Sequence, residues 1–337
     1  GYDRSNLTRG SLHVGLGNFH RAHQAIYLGR LFDTGRDHDW AIVGASLREN
    51  DQAVRSDLAK QNWLTTIVEL DPDGFSARVC GAMIDYADIE ADAVIAAMSD
   101  PAIRIVSLTI TEGGYFVDAT TGGFQSDHPE IVADVSSPDD PKTIFGCILK
   151  ALRSRRDAGV APFTIMSCDN LPENGQVART TTLGLAALQD EAFRDWVNDN
   201  VAFPNSMVDC ITPATSQREI DMVSAEFGIA DSRPVACEPF RQWGMEDHFS
   251  NGRPALETVG VEFVDDVAPY ELMKLRILNG GHAAIAYPAG LLDIHFVHDA
   301  MLNPLVSGFL EKLENTEIVP SVPHIPGVSK TDYLAKV

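Results

Sequence analysis

Short apolar runs alternate with amphipathic helical patterns through the first two-thirds of this chain, and the alternation stops near residues 265–269. A strand followed by a helix and another strand packs most readily as a βαβ unit, so repeated alternation constrains the chain to a mainly parallel sheet flanked by helices. Apolar runs place strands at 11–16, 40–45, 104–110 and 162–167, and helices at 21–32, 90–98, 143–156 (opened by Pro141), 177–188 and 191–201. Two further runs, 63–70 and 75–83, flank Asp71-Pro72-Asp73-Gly74, a strong hairpin turn. After residue 265 the pattern is helical, interrupted by Gly and Pro, with no clear strand. Two domains follow, 1–265 and 266–337, and 337 residues suffice for two cores.

Charge and cysteine usage narrow the function classes. A formal net charge of −22 argues against nucleic acid, because phosphate binding needs a basic face. An anionic cofactor must then be held by local amides and helix ends. Five scattered cysteines, with no C-x2-C pair, argue against a disulfide framework or a zinc ribbon and fit a reducing cytoplasm. No apolar run approaches the roughly 20 residues that span a bilayer. The start, Gly-Tyr-Asp-Arg-Ser, lacks Met and the apolar core of a signal peptide, so a processed or incomplete N-terminus is expected.

Five places carry residue types suited to chemistry. His13-Val14-Gly15-Leu16-Gly17-Asn18-Phe19-His20 lies between a strand and a helix, the context that makes G-x-G a candidate dinucleotide turn. Gly15 permits the tight turn and Gly17 a close approach of pyrophosphate; His20 stands where a third Gly is usual. An ordinary strand-to-helix turn has the same pattern. Past the second strand, Glu49 is placed to grip an adenosine ribose, with Asp51 in reserve and Arg48 able to attract a 2′-phosphate; a solvated charge cluster explains the three equally well. The loops Glu112-Gly113-Gly114 and Ser167-Cys168-Asp169-Asn170 follow strands, where open α/β sheets bind ligands. Cys168 reads as a small buried residue, since no matched histidine is evident. His20 and His23 lack the further ligands a metal needs.

Lys274, Asn279 and His282 stand at i, i+5 and i+8. At 100° per residue, Asn279 lies about 140° and His282 about 80° around a helix from Lys274, so all three reach one cavity. Such a set can take the proton of an alcohol and hold the oxygen as hydride leaves the carbon. An amphipathic helix with a snorkelling lysine fits the same spacing. Gly280-Gly281 is costly within a helix, about 1 kcal/mol per Gly, and suits a place where something approaches the backbone closely.

Taken together, G-x-G-N-F-H-R-A-H-Q at 15–24, T-I-T-E-G-G-Y at 109–115, S-C-D-N-L-P-E-N-G at 167–175 and K-x4-N-x2-H at 274–282 are specific in order and spacing. From about Leu12 to its end the chain resembles the polyol-specific long-chain dehydrogenases. The resemblance implies a Rossmann-type NAD-binding domain, a mostly α-helical substrate domain, and metal-free interconversion of a polyol and its ketose, of the mannitol/fructose type. It makes Lys274 the general base, with Asn279 and His282 on the reacting oxygen. Asn170 and Asp209 then bind substrate, Glu112 and Glu271 support the site or relay protons, and Gly15, Gly17, Asn18, Phe19 and Glu49 bind the cofactor. A lysine lowered by burial toward neutral pKa fits the base. Two departures stand out. Family members usually carry Arg where Cys210 follows Asp209, and they extend further. The Pro-rich stretch after Asn315 accordingly reads as a connector leading past Val337 to helices that close the cleft and cover the stripe Leu275, Ile277, Leu278, Ile285 and Leu291. A sugar-acid reductase of the fructuronate or tagaturonate type needs a cation for its substrate's carboxylate, and none besides Lys274 stands out near the motifs. An NAD-binding sensor can dispense with the trio that is retained here.

Overall fold

Five parallel strands organise the first part of the computed structural model, which describes every residue except 72, 73 and 119. In chain order the strands are β1 (Arg9–Val14), β2 (Ala41–Ala45), β3 (Thr65–Asp71), β4 (Gly74–Cys80), β5 (Met83–Tyr86), β6 (Ile105–Leu108), β7 (Thr164–Ser167), β8 (Ser206–Asp209), β9 (Val235–Cys237), β10 (Gln242–Glu246) and β11 (Glu262–Val264). The main sheet runs β5-β2-β1-β6-β7, every pair parallel. Counted within the sheet this is the order 3-2-1-4-5 of a doubly wound dinucleotide-binding fold, whose order reverses beside β1. Alternate residues serve opposite faces, the period of a strand. Ile42, Ile105 and Met166 join one core cluster with Ile26, Leu31 and Trp243. Leu12, Val43, Val106 and Ile165 join the other with Val94, Phe145, Ile148 and Leu152.

The helices of this unit are α1 (Asn18–Ala22), α2 (Gln24–Asp33), α3 (Gln52–Lys60), α4 (Ala91–Ser99), α5 (Pro129–Ser136), α6 (Ile144–Asp157), α7 (Asn174–Gln189), α8 (Glu191–Asn200) and α9 (Gln217–Phe227). The single helix expected over 21–32 is instead two, broken at His23, whose backbone turns to φ −117° and ψ −88°. Its ring is held across the fold, with Nε2 2.7 Å from the Gln242 carbonyl. The hairpin forms, with Asp71 opposite Gly74; positions 72 and 73 of its turn lie outside the described residues. The run 75–83 divides after Cys80, and Met83 starts a strand of the main sheet. Two small sheets, β4-β3-β9 and β11-β10-β8, complete the unit.

The chain separates into two compact units, Gly1–Asp265 and Asp266–Val337. The second holds α10 (Ala268–Lys274), a π turn at Leu275–Asn279, α11 (Gly280–Leu291), α12 (Val297–Leu302), α13 (Pro304–Leu313), a second π turn at Glu314–Ile318, α14 (Val319–Ser321) and α15 (Lys330–Lys336). Its described residues include no strand. The Pro-rich stretch is not merely a connector. Val319, Val322 and Ile325 are buried with Met273, Ile277 and Tyr333, because Lys330 folds back, its ammonium donating to the carbonyls of Val319 and Val322. Of the apolar stripe, Ile277 and Ile285 are covered within this unit, whereas Leu291 is 89% exposed.

Candidate active site

Gly15 follows β1 at φ +88°, a left-handed value, and a Cβ there would stand 2.0 Å from the Thr109 carbonyl. Only glycine meets both conditions. Gly17 has the opposite surroundings: the nearest atom to its hypothetical Cβ is 3.8 Å away, leaving the backbone open where α1 begins. His13 stiffens the turn from below. It is fully buried, with Nε2 2.9 Å from the Thr109 hydroxyl and Nδ1 2.8 Å from Ser107 Oγ, while Thr109 Oγ1 donates to the Gly15 carbonyl at 2.7 Å. Since Thr109 donates onward, its oxygen accepts from His13 Nε2–H. Burial pushes the His13 pKa down to about 3, so the ring is neutral.

The third-Gly position is occupied by chemistry of another kind. His20 stacks on His13 with ring centroids 3.4 Å apart and meets Gln24 Oε1 through Nδ1, while Gln24 Nε2 faces His23 Nδ1 at 2.9 Å. The pair His20 and His23 is thus bridged by an amide. Asn18 spends its carboxamide on the Pro213 carbonyl, Thr215 and Arg21, so what remains for a ligand is its backbone N–H. Phe19 stacks on His23 at 5.0 Å. Beyond β2, Glu49 and Arg48 are exposed. Asp51, the reserve, accepts Ser46 Oγ–H at 2.5 Å, which leaves Glu49 the freer carboxylate.

The loops after β6 and β7 are fastened together. Asp169 accepts the N–H of Ile110 (2.9 Å), the N–H of Thr111 (3.0 Å) and the Tyr115 hydroxyl (2.6 Å). Ser167 Oγ lies 2.6 Å from the same hydroxyl. Thr111 stands at φ +66° and ψ 164°, a region that is essentially glycine's own and costs on the order of 1–3 kcal/mol elsewhere. Glu112 and Asn170, carried by these loops, are exposed. Cys168 is wholly buried and burial pushes its thiol up, the wrong direction for a nucleophile. None of Ser167, Asp169, Tyr115 or His13 was assigned a role by sequence reading. Asp169 and Tyr115 sit inside the quoted motifs, but their partnership spans 54 residues.

Asp209 closes β8 and is buried. Cys210, after it, is buried beside Cys237. The hydrogen bond with Cys237, then burial, pushes the Cys210 thiol up. The same bond and the Arg241 guanidinium, 3.1 Å from Cys237 Sγ, draw Cys237 down.

In the second unit Lys274 is buried and Asn279 and His282 are half-buried. Between them the helix is not α. Gly280 N–H reaches back to the Leu275 carbonyl, the i→i+5 bond of a π turn. That bond brings residues five apart into line, so Asn279 falls closer to the Lys274 direction than the about 140° of an unbroken helix. Asn279 Oδ1 is buried without a hydrogen-bond partner among the described residues. Glu271 is half-buried one turn before Lys274. His282 lines a cavity of about 450 Å³ with Ile277, Ile285, Leu310 and Glu314, all within this unit. What approaches the glycine pair is protein: a Cβ on Gly281 would meet Glu314 Oε1 at 2.8 Å. Burial raises the Glu314 carboxyl to about 7.

Each unit matches a known family domain. The mannitol dehydrogenase Rossmann domain matches residues 9–258, and the mannitol dehydrogenase C-terminal domain matches residues 266–337. The chain belongs to the mannitol dehydrogenase family. Mannitol 2-dehydrogenase of Cereibacter sphaeroides is 59% identical over 338 residues, covering 100% of this chain and 70% of the relative. A Pseudomonas fluorescens mannitol 2-dehydrogenase, solved as a ternary complex with NAD and D-mannitol, matches 99% of this chain and 69% of its own at TM-score 0.92 and 47% identity. A D-sorbitol dehydrogenase solved in substrate-free form matches 99% of this chain and 70% of its own at TM-score 0.94 and 39% identity. The α/β fold with a Rossmann-type sheet and a helical second part is therefore that of this family.

Proposed function

We propose that this member of the mannitol dehydrogenase family is an NAD-dependent polyol dehydrogenase that interconverts a polyol and its ketose, of the mannitol/fructose type, with Lys274 as general base and without a metal ion. The observation that carries the proposal is the Lys274–Asn279–His282 segment. Lys274 is buried, a π turn separates it from Asn279, whose Oδ1 is buried and unsatisfied, and His282 lines a cavity three residues on. A buried, unpaired polar atom costs roughly 1–3 kcal/mol, which a hydroxyl ligand would offset.

The residues present fit the dinucleotide. Gly15 makes the turn, Gly17 leaves its backbone open, and the N–H groups of Asn18 and Phe19 begin α1 and suit a pyrophosphate. Glu49 would hold the ribose hydroxyls. Bound NAD supplies the acceptor for hydride. In oxidation, Lys274 in its neutral form takes the proton of the alcohol; in reduction, its ammonium returns one. The Asn279 Nδ2–H and His282 stabilise negative charge on that oxygen, a task for preorganised donors, while Asn279 Oδ1 would accept from another hydroxyl of the polyol. Asn170 and Asp209 help place the polyol, and Glu112 and Glu271 support the site or pass protons to solvent.

Following NADH oxidation with fructose, ribulose, xylulose and fructuronate tests this directly. Turnover of a neutral ketose is expected; turnover of fructuronate alone identifies a sugar-acid reductase, and NADH binding without turnover identifies a sensor. Comparing kcat/KM for NAD and NADP in the oxidative direction tests Glu49, since a carboxylate repels a 2′-phosphate. A clear NADP preference would show that Arg48 or another cation governs the pocket.

A further inference from the structure

The Asp169 carboxylate is unusually committed for a residue beside a substrate loop. One oxygen, Oδ2, takes the Ile110 N–H and the Tyr115 hydroxyl, and the other, Oδ1, takes the Thr111 N–H. The two N–H groups it holds lie either side of Ile110, on the chain entering Thr111, the β-branched residue in the glycine-like conformation. Such a conformation persists only where its surroundings over-determine it. Here the carboxylate grips the chain entering Thr111 at two successive N–H groups, and Tyr115 ties the far end of the same short turn to Oδ2. Tyr115 is itself buried and braced by Ser167 at the end of β7. Glu112 follows Thr111 directly, and Asn170 follows Asp169 directly.

We infer that Asp169, with Tyr115, is a positioning pair: it holds Thr111 in its strained conformation and thereby fixes Glu112 and Asn170 relative to each other for the polyol. The inference rests on the functional reading above for what those two residues do. A relaxed Thr111 would rotate the start of the Glu112 turn, while Asn170 would lose its tether to the neighbouring loop. Displacements of about 1 Å at groups that orient a substrate cost on the order of 10²-fold in rate. The dinucleotide turn at Gly15–Gly17 is held separately through His13 and Thr109, so cofactor affinity should not follow.

The test uses Asp169→Asn, the milder Tyr115→Phe, and the double variant Asp169→Asn/Thr111→Gly, each compared with the wild-type chain. Asp169→Asn is expected to lower kcat for polyol oxidation by about 10²-fold, with NADH affinity by fluorescence within threefold of wild type. Tyr115→Phe, which loses one bond, is expected to fall between. Glycine adopts the position-111 conformation without strain, so the double variant should recover at least about tenfold of the lost rate, which a general weakening of the fold would not allow. Amide exchange at Ile110 and Thr111 reads the grip independently of activity. It should quicken about tenfold or more in Asp169→Asn, as expected for losing a hydrogen bond to a charged group. Unchanged exchange, a kcat within threefold of wild type, or equal losses of kcat and NADH affinity without rescue by glycine would each overturn the proposal. A full-length wild-type protein that oxidises no polyol would instead defeat the functional reading, leaving the exchange comparison to judge the clasp.

Discussion

In the first unit the Gly15–Gly17 turn is made of backbone, and the side chains around it are bonded to one another: His13 to Ser107 and Thr109, Thr109 to Gly15, Asn18 to the 213–215 loop. In the second, the Lys274–His282 segment is made of side chains on an irregular helix, with a buried oxygen on Asn279 left over and a cavity beside His282. The difference teaches where each kind of recognition resides. A dinucleotide's phosphates are bound by N–H groups and shape, so the fold can commit most of the side chains around the turn to one another and still bind. Proton transfer and oxyanion stabilisation need side chains whose capacity is kept in reserve for the substrate.

Substitution should therefore act on different observables in the two regions. Lys274→Ala should lower kcat by about 10²–10⁴-fold and leave NADH affinity nearly unchanged; steady-state kinetics beside fluorescence titration checks both, and a kcat within threefold of wild type at neutral pH would remove Lys274 as the base. Gly15→Ala should do the reverse. The added methyl meets the Thr109 carbonyl, and the left-handed backbone adds strain, together worth about tenfold or more in NADH affinity. Retained affinity in Gly15→Ala would mean that the turn is not the phosphate site.

A smaller effect separates the units by pH. His13 and His23, buried in the first, titrate near 3 where burial has lowered them. Between about pH 3 and 6.5 the unfolded chain binds more protons, so their contribution makes stability rise with pH and fade as pH falls below 6.5. Glu314, in the second unit, is raised to about 7 by burial. Between about pH 4.5 and 7 the folded form keeps a proton that the unfolded chain releases, so its contribution falls as pH rises through that window. Amide exchange of the two units across pH 4.5–6.5 should show opposite trends, and Glu314→Gln should flatten the second unit's alone. A parallel trend in both, unaffected by the substitution, would contradict this.

Much of this contrast is legible in the sequence, though unevenly. Strand-then-glycine reads directly at Gly15, because a single local conformation explains it. Lys274, Asn279 and His282 are legible as a set, but not their arrangement, since a periodicity of 100° per residue has no means of announcing a π turn. The His23 break in the first helix depends on a carbonyl 219 residues away. The Asp169 clasp joins loops 58 residues apart. Strands β8, β9 and β11, of three or four residues, are too short to show alternation. By contrast α9 escaped notice despite a local signal, the capping box between Ser216 and Glu219. The Pro-rich stretch misleads because proline content marks a chain path without saying whether its Val and Ile side chains are buried.

The pH dependence of turnover in both directions tests the role of Lys274 most directly. A group that must be neutral to accept a proton and charged to donate one makes the polyol oxidation rate rise with pH and the ketose reduction rate fall over the same range. Opposed profiles sharing one inflection are the expected result. Profiles that stay flat in both directions from neutral to alkaline pH would contradict a lysine base.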